Sequence, residues 1–128
     1  MTYLIVFFGA GLGGALRHFV NLLAPGGGSS GFPFATFAVN VLGSFAMGAL
    51  AGYWLARGGS DQHLRLFLTT GVLGGFTTFS AFSLDTVLLI QRNAYGEAAI
   101  YAGSSVVLSV LALFLAFSLF AGSVHAPG

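Results

Sequence analysis

Charge and cysteine are what this sequence has least of. The 128 residues include four arginines, three acidic residues, no lysine and no cysteine. A soluble domain draws on about 25% charged residues for its surface, so this chain cannot build a water-facing exterior. Its dispersed arginines and net charge of +1 provide no cationic cluster for a phosphate backbone, which excludes nucleic-acid binding. The lack of cysteine excludes disulfides and thiolate chemistry.

Long apolar runs take the place of charge. Hydrophobic residues make up 56% of the chain, and the mean hydropathy is +0.93. About 20 mostly apolar residues are enough to cross a bilayer as a helix. Four segments qualify, at residues 3–24, 33–56, 66–90 and 97–120. The sequence therefore predicts an all-α membrane protein, with residues 1–128 forming one four-helix domain.

Two charged residues, Arg17 and Asp85, fall inside these segments. A charge at membrane depth is costly unless it is paired or hydrated, so both are candidates for a functional site. The alternative is that each lies near enough to a helix end for its side chain to reach the membrane surface.

The arginines give almost no orientation signal. Arg57 and Arg65 lie on one side of a four-span chain, and the other side has Arg92, with Arg17 as a second candidate. Orientation follows the bias of Lys and Arg between the two sides, and here that bias is nearly absent. We therefore expect insertion in both orientations and an antiparallel homodimer, with a single weakly specified orientation as the alternative.

Small residues recur at helical spacing among the 20 glycines. Pairs four residues apart, as in Gly9 and Gly13, allow close helix packing in lipid, most simply between subunits. Residues 9–14 also match G-x-G-x-x-G, but the dinucleotide fingerprint requires a βαβ unit and an acidic residue about 20 positions on. The first acidic residue is Asp61, so the match is coincidental.

The third segment is predicted to be a broken helix. Three glycines between Gly71 and Gly75 and the pair Thr77-Thr78 weaken its centre. Non-helical backbone at membrane depth is tolerated only where protein buries it or water reaches it. A break at about 74–78 would expose carbonyls that bind a cation, and two breaks meeting in a dimer would hold one ion.

Uncharged donors and aromatic rings follow a path past this break. Ring edges carry partial positive charge, and channel sites must bind an ion weakly enough to release it. Hydroxyl and amide donors with few fixed charges indicate an anion pathway. The residues that we assign to this pathway are Arg17, Thr36, Asn40, Phe79, Ser80, Phe82, Ser83, Asp85, Tyr101, Ser105 and Ser109.

Three motifs give the chain a close resemblance to the Fluc fluoride channels, the CrcB family. They are Gly-Gly-Ala-Leu-Arg at 13–17, Phe-Pro-Phe-Ala-Thr-Phe-Ala-Val-Asn-Val-Leu-Gly-Ser-Phe at 32–45, and Gly-Val-Leu-Gly-Gly-Phe-Thr-Thr-Phe-Ser-Ala-Phe-Ser at 71–83. The third is highly specific, and the resemblance covers nearly the whole chain.

The resemblance implies a dual-topology homodimer with two pores in the bacterial inner membrane, which exports fluoride passively and confers fluoride resistance. It assigns the pore asparagine to Asn40 and the paired phenylalanines to Phe79 and Phe82. It implies a structural Na⁺ at the dimer centre, held by backbone carbonyls of Gly74 and Thr77 in preference to the neighbouring Gly75 and Thr78. It also assigns the polar track of the last helix to Tyr101, Ser105 and Ser109, and the basic residue of the first helix to Arg17.

The sequence departs from the family pattern at two positions. The family usually has Glu where Asp85 stands, and the shorter side chain is not expected to reach the same hydroxyls. An aromatic residue usually follows the first-helix arginine, whereas this chain has His18. A histidine at a membrane end is typical of an interfacial anchor.

Other functions fit the sequence less well. A small proton-coupled drug exporter of dual topology requires a glutamate in its first helix, and residues 3–24 contain no acidic residue. A non-transporting assembly subunit would not need Asn40 or the broken third segment. An enzyme is not expected, because the histidines lie far apart and no nucleophile–base pair or metal-ligand spacing is present.

Overall fold

The computed structural model describes residues 1–24, 32–58 and 61–122, and all regular structure in these ranges is helical. Residues 25–31, between the first two spans, and residues 59 and 60, between the second and third, lie outside them. We number the helices α1 to α5 in chain order: α1 is Thr2–Leu23, α2 is Phe34–Arg57, α3 covers 62–76, α4 is Phe79–Gln91 and α5 is Tyr95–Gly122.

Within the described residues, four helical units are long and apolar enough to cross a membrane, which confirms the predicted number of spans. The third unit consists of α3 and α4 together and runs from Gln62 to Gln91. It begins four residues before the predicted span at 66–90, because Asp61 caps its first turn and accepts a hydrogen bond from the His63 amide at 3.3 Å. Arg65 therefore lies on the helix rather than in the preceding connection.

The outer surface of the bundle is apolar. Large side chains on every helix point outward, and Tyr3, Phe7 and Leu119 are 89%, 69% and 59% exposed. A soluble protein does not present so much contiguous apolar surface. Together with the four spans, this surface makes the chain a multi-pass membrane protein whose exterior faces lipid or another protein.

The α3 helix is wound unevenly along its length. Gln62–Leu66 and Gly74–Phe76 are α-helical, and Phe67–Leu73 between them forms a π-helix. A π segment is rare and often accompanies a functional site. Here it widens the helix where α1 packs against it.

Glycines bring α1 into backbone contact with the π segment. A methyl group added at Gly9 would lie 2.8 Å from the Phe67 carbonyl oxygen and 2.9 Å from the Cα of Gly71. At Gly75 it would lie 2.9 Å from the Cα of Ala10. Glycine also allows close packing of α2 against α5. A methyl group added at Gly52 would lie 2.5 Å from the Phe117 carbonyl oxygen.

Glycine spacing thus predicts tight packing correctly, but these glycines pack helices within one chain. Packing between subunits, which the sequence suggested, is not needed to explain the spacing of these glycines. The remaining interior is small and centres on Leu89, Ala98 and Tyr101, with Phe32, Phe37, Phe82 and Ala94 packed around it. This cluster fixes α4 against α5 beside the helix break.

Replacing Gly13 with Ala should destabilise the bundle. The added methyl would lie 2.8 Å from the Phe76 amide nitrogen and closer still to the Val72 carbonyl, so α1 must move away. Overpacking of this kind costs about 1–3 kcal/mol. Thermal unfolding of the purified protein in detergent should show a lowered midpoint.

Gly11→Ala is the matched control on the same helix, because a methyl there meets nothing within 4 Å. Its midpoint should stay at the wild-type value. Equal midpoints for the two variants would show that α1 does not contact α3 as closely as described.

Candidate ion pathway

The third membrane unit is interrupted at Thr77 and Thr78. Both residues have extended backbone, with φ and ψ of −85° and 156° at Thr77 and −151° and 122° at Thr78. The break predicted at about 74–78 is therefore confirmed and confined to two residues. β-Branched threonines favour extended backbone, and Thr78 also caps α4, since its hydroxyl accepts from the Ala81 amide at 3.1 Å.

Asn40 on α2 binds the backbone of this interruption from the side. Its amide nitrogen donates to the Thr78 carbonyl at 3.0 Å, and its amide oxygen accepts from the Thr78 N–H at 2.8 Å. The side chain thus makes the two hydrogen bonds to Thr78 that a neighbouring β-strand would otherwise make. Because no water is available in lipid to satisfy these groups, Asn40 stabilises the extended conformation.

Arg17 on α1 binds the carbonyl that precedes the break. Its Nε donates to the Gly75 oxygen at 3.1 Å, and the side chain is half-buried. The carboxyl end of a helix carries partial negative charge, so a cation there is favourable. Arg17 therefore packs into the bundle, whereas the alternative interpretation placed its side chain at the membrane surface.

The break leaves the carbonyls of residues 74–77 without their helical donors. In a continuous helix the Thr78 amide would bind the Gly74 carbonyl, but it binds Asn40 instead. The Ala81 amide would bind the Thr77 carbonyl, but it binds the Thr78 hydroxyl. Arg17 occupies the carbonyl of Gly75, which leaves those of Gly74, Phe76 and Thr77.

An open cavity of about 400 Å³ adjoins the break and is bordered by α2, α3, α4 and α5. Five of the eleven predicted pathway residues line it, and Gly74, Thr77 and Thr78 lie on its wall. The predicted residues that line it are Asn40, Phe79, Phe82, Ser105 and Ser109. Residues that the sequence did not single out also contribute, notably Gly43, Met47 and Val106.

Ser105 is the most unusual polar group in this cavity. The residue is 5% exposed, and its hydroxyl has no hydrogen-bond partner among the described residues. Buried hydroxyls are ordinarily satisfied. Ser105 lines the cavity wall, so its hydroxyl is a candidate donor to an ion or a water that enters there.

An aromatic row leads from the cavity to a second polar group. The rings of Phe79 and Phe82 are 5.6 Å apart between centroids, and those of Phe82 and Tyr101 are 5.2 Å apart. The Tyr101 hydroxyl donates to Asp85 Oδ2 at 3.2 Å, and Thr36 interacts with the same phenol. Asp85 thus reaches a hydroxyl on α5, although the sequence led us to expect its side chain to be too short for the hydroxyls that the family's glutamate contacts.

Three positions that the sequence singled out lie outside the cavity. Ser80 pairs with the Thr78 hydroxyl at 3.2 Å, and both Ser80 and Ser83 are exposed without lining the cavity. His18 is exposed next to Arg17, as expected of an interfacial residue. Ser80 and Ser83 each follow one residue after Phe79 and Phe82, about 100° further round the helix, so they lie off the cavity wall.

Comparison with known proteins identifies similar chains. The family model described as CrcB-like protein, Camphor Resistance (CrcB), matches residues 4–117. A protein of Granulibacter bethesdensis named fluoride-specific ion channel FluC is 60% identical over 119 residues, covering 93% of this chain and 94% of that protein. Proteins of Rhodopseudomonas palustris and Nitrobacter hamburgensis, named fluoride-specific ion channel FluC and FluC 2, are 54% and 55% identical, each covering 93% of this chain and 96% of the relative.

Asn40→Asp should weaken the fold at the break. A carboxylate still accepts from the Thr78 amide, but it cannot donate to the Thr78 carbonyl and places a negative charge against it. Losing a buried bond and leaving its partner unsatisfied costs about 1–3 kcal/mol. The thermal unfolding midpoint in detergent should fall.

Asn93→Asp provides the control, since Asn93 is exposed and only its side-chain oxygen is used, as acceptor for the Tyr95 hydroxyl at 3.4 Å. Its midpoint should be unchanged. A wild-type midpoint for Asn40→Asp would contradict the two-bond geometry at Thr78.

Proposed function

The chain belongs to the CrcB family of fluoride-specific ion channels, and from this premise we propose that it conducts fluoride passively and selectively across a membrane. The family is one of channels and not of enzymes. The observation that carries the proposal is the cavity beside the break, which Asn40, Phe79, Phe82 and Ser105 line together and where the Ser105 hydroxyl has no hydrogen-bond partner among the described residues.

The cavity offers fluoride hydrogen-bond donors without a fixed positive charge. Ser105 contributes a hydroxyl, and Asn40 retains one amide hydrogen after binding Thr78. The positive edges of Phe79 and Phe82 add weak attraction. Fluoride is small and strongly hydrated, so it needs donors that replace water, while a conducting site must also release it. Several weak neutral donors meet both needs.

Asp85 and Arg17 modulate this pathway through neutral partners. Asp85 is bound by Tyr101, which disperses its negative charge at the far end of the aromatic row. Arg17 is bound by the Gly75 carbonyl, which keeps its charge from forming a deep anion trap at the break. Thr36 and Ser109 supply further hydroxyls along the same route, whereas Ser80 and Ser83, also predicted for the pathway, lie outside the cavity.

The working unit in this proposal is an antiparallel homodimer with two pores. The near absence of an arginine bias supports insertion in both orientations. The cavity is open on one side, and Phe79 on its rim is 78% exposed, which suits completion by a second copy. A two-fold axis in the membrane plane would place two such cavities side by side.

A structural Na⁺ fits the carbonyls at the centre of this dimer. Sodium is a hard cation that prefers oxygen ligands, and broken helices present such carbonyls. Arg17 and Asn40 engage the carbonyls of Gly75 and Thr78, and among the carbonyls that the break leaves open we assign those of Gly74 and Thr77 to the ion. Two copies would supply both pairs and fix the two breaks against each other.

The direction of transport follows from the membrane potential. In a bacterial inner membrane the cytoplasm is negative, and about 2.3 kcal/mol per 100 mV acts on each charge. A passive fluoride path in that membrane expels fluoride from the cytoplasm and protects the cell from it.

Fluoride efflux from liposomes containing the purified protein tests the proposal. Fluoride-loaded liposomes should release fluoride when the potential is dissipated with a potassium ionophore, whereas chloride-loaded liposomes should not. Release of both anions at similar rates would contradict selectivity. Release of neither from a folded dimer would contradict the proposed function.

Phe82→Ile should lower fluoride flux at least tenfold. Isoleucine keeps apolar bulk but removes the ring edge that faces the cavity and the contacts to Phe79 and Tyr101. The efflux rate per dimer measures the effect, with Phe120→Ile on the outward face of α5 as the control. Unchanged flux in Phe82→Ile would show that the aromatic edge has no part in conduction.

A further inference from the structure

Gly43 on α2 contacts the helix break in a way that no other described glycine does. Wherever another described glycine has a neighbour within 4 Å, the atom nearest to an added methyl group belongs to the backbone. At Gly43 that atom is the side-chain methyl of Thr77, and an added methyl group would overlap it. The next atoms are Phe76 Cδ2 at 3.4 Å and Thr77 Cβ at 3.7 Å. The lack of a side chain at Gly43 therefore makes room for the side chain of the first extended residue of the break.

The Thr77 side chain is fixed in the orientation that brings its methyl group to Gly43. Its hydroxyl donates to the Leu73 carbonyl at 2.9 Å, and the Thr77 amide donates to the same oxygen at 3.0 Å. A β-branched side chain has few staggered states, so rotating the methyl group away from α2 would also move the hydroxyl off Leu73. A larger residue at position 43 must therefore displace the Thr77 backbone or break this hydrogen bond.

The direction of the Thr77 carbonyl is set by a second residue of α2. The peptide bond between Thr77 and Thr78 is trans, because the described residues contain no cis bond, so its C=O and N–H point in opposite directions. The Thr78 N–H donates to Asn40 Oδ1 at 2.8 Å, and the Thr77 carbonyl consequently points away from that oxygen. Asn40 thus sets the direction of this carbonyl, whereas Gly43 sets how closely its residue approaches α2.

Asn40 and Gly43 act from the same side of α2. They are three residues apart, which places them on one face of the helix, and both line the cavity beside the break together with Thr77 and Thr78. Metal sites tolerate deviations in ligand distance of only about 0.2 Å. Both contacts therefore bear on any cation that the Thr77 carbonyl binds.

We propose that Gly43 is a positioning residue for the sodium site, and that its close packing on the Thr77 methyl group holds the Thr77 carbonyl at the distance that the ion requires. This inference rests on the sodium site of the proposed function. Gly43 acts through Thr77 and is not itself a ligand. Changes to groups that orient metal ligands typically alter metal affinity about 10–100-fold, which sets the size of the effect that we expect.

The competing explanation is that Gly43 serves only to pack α2 against the third membrane unit. Gly48 on the same helix has such a role towards α5, since a methyl group there would lie 2.9 Å from the Leu113 Cα. Under this explanation the two glycines would be equivalent, and the Thr77 methyl group would have no particular part. Moving one methyl group across the contact separates the two explanations.

The experiment is a double-variant cycle at Gly43 and Thr77. Gly43→Ala adds a methyl group where that of Thr77 lies, Thr77→Ser removes the latter but keeps the hydroxyl, and the double variant restores the number of methyl groups. Thermal unfolding of the purified protein in detergent is measured against sodium concentration, without fluoride and with a large organic cation keeping the ionic strength constant. A ligand that binds the folded state raises the midpoint with its concentration, so this titration gives the sodium affinity independently of transport.

Gly43→Ala should weaken the sodium affinity about tenfold or more, because the Thr77 carbonyl is displaced. Thr77→Ser should have a smaller effect, since the hydroxyl and the backbone contacts remain. The double variant should bind sodium like the wild type, because substitutions that conserve volume are tolerated best. If Gly43→Ala alone does not fold, recovery of folding and of sodium affinity in the double variant still tests the contact.

Gly48→Ala is the matched control, because its added methyl group meets Leu113 on α5 and not the break. It should lower the midpoint equally with and without sodium and leave the sodium affinity unchanged. Combining it with Thr77→Ser should restore nothing.

Three results would overturn the inference. Wild-type sodium affinity in Gly43→Ala would show that the contact does not position the carbonyl. Weak sodium binding in the double variant, or equal rescue of Gly48→Ala by Thr77→Ser, would show that Gly43 serves packing alone. A wild-type midpoint that does not change with sodium would remove the site itself. Fluoride efflux is measured separately, so a protein that binds sodium as described but releases no fluoride would contradict the channel function and not this inference.

Discussion

The structure depends on satisfying the backbone groups of two extended residues at membrane depth. Lipid offers no hydrogen bonds, so each unpaired N–H or C=O costs several kcal/mol. The protein meets this constraint with side chains from two other helices. Asn40 forms hydrogen bonds with both the N–H and the C=O of Thr78, and Arg17 donates to the carbonyl of Gly75. The carbonyls of Gly74, Phe76 and Thr77 keep no helical donor, and we propose that those of Gly74 and Thr77 bind the ion.

The same arrangement explains how a chain with so few charges keeps two of them within its helices. Arg17 is bound by a carbonyl at the end of a helix, and Asp85 is bound by the hydroxyl of a buried tyrosine. Neither charge needs a counter-ion, and the cavity between them stays neutral. A neutral cavity with a free serine hydroxyl suits an anion that must both enter and leave.

Much of this architecture could be predicted from local sequence. Span number follows from apolar length, and the break follows from the glycines and threonines at 71–78, because both are properties of short segments. The pairing of Asn40 with Thr78 could not be predicted, since it depends on how α2 and the break pack. The same holds for the contact between Gly43 and the Thr77 methyl group, which sequence spacing does not reveal. Glycine pairs signalled close packing correctly, but spacing alone does not tell packing within a chain from packing between chains.

A cryo-electron microscopy structure of the purified protein in lipid nanodiscs, with sodium present and then replaced by a large organic cation, tests the central claim most directly. The account predicts an antiparallel dimer in which two breaks face each other and a sodium-dependent density lies among the carbonyls of Gly74 and Thr77. A dimer in which these carbonyls face lipid, or one in which Asn40 does not contact Thr78, would contradict it.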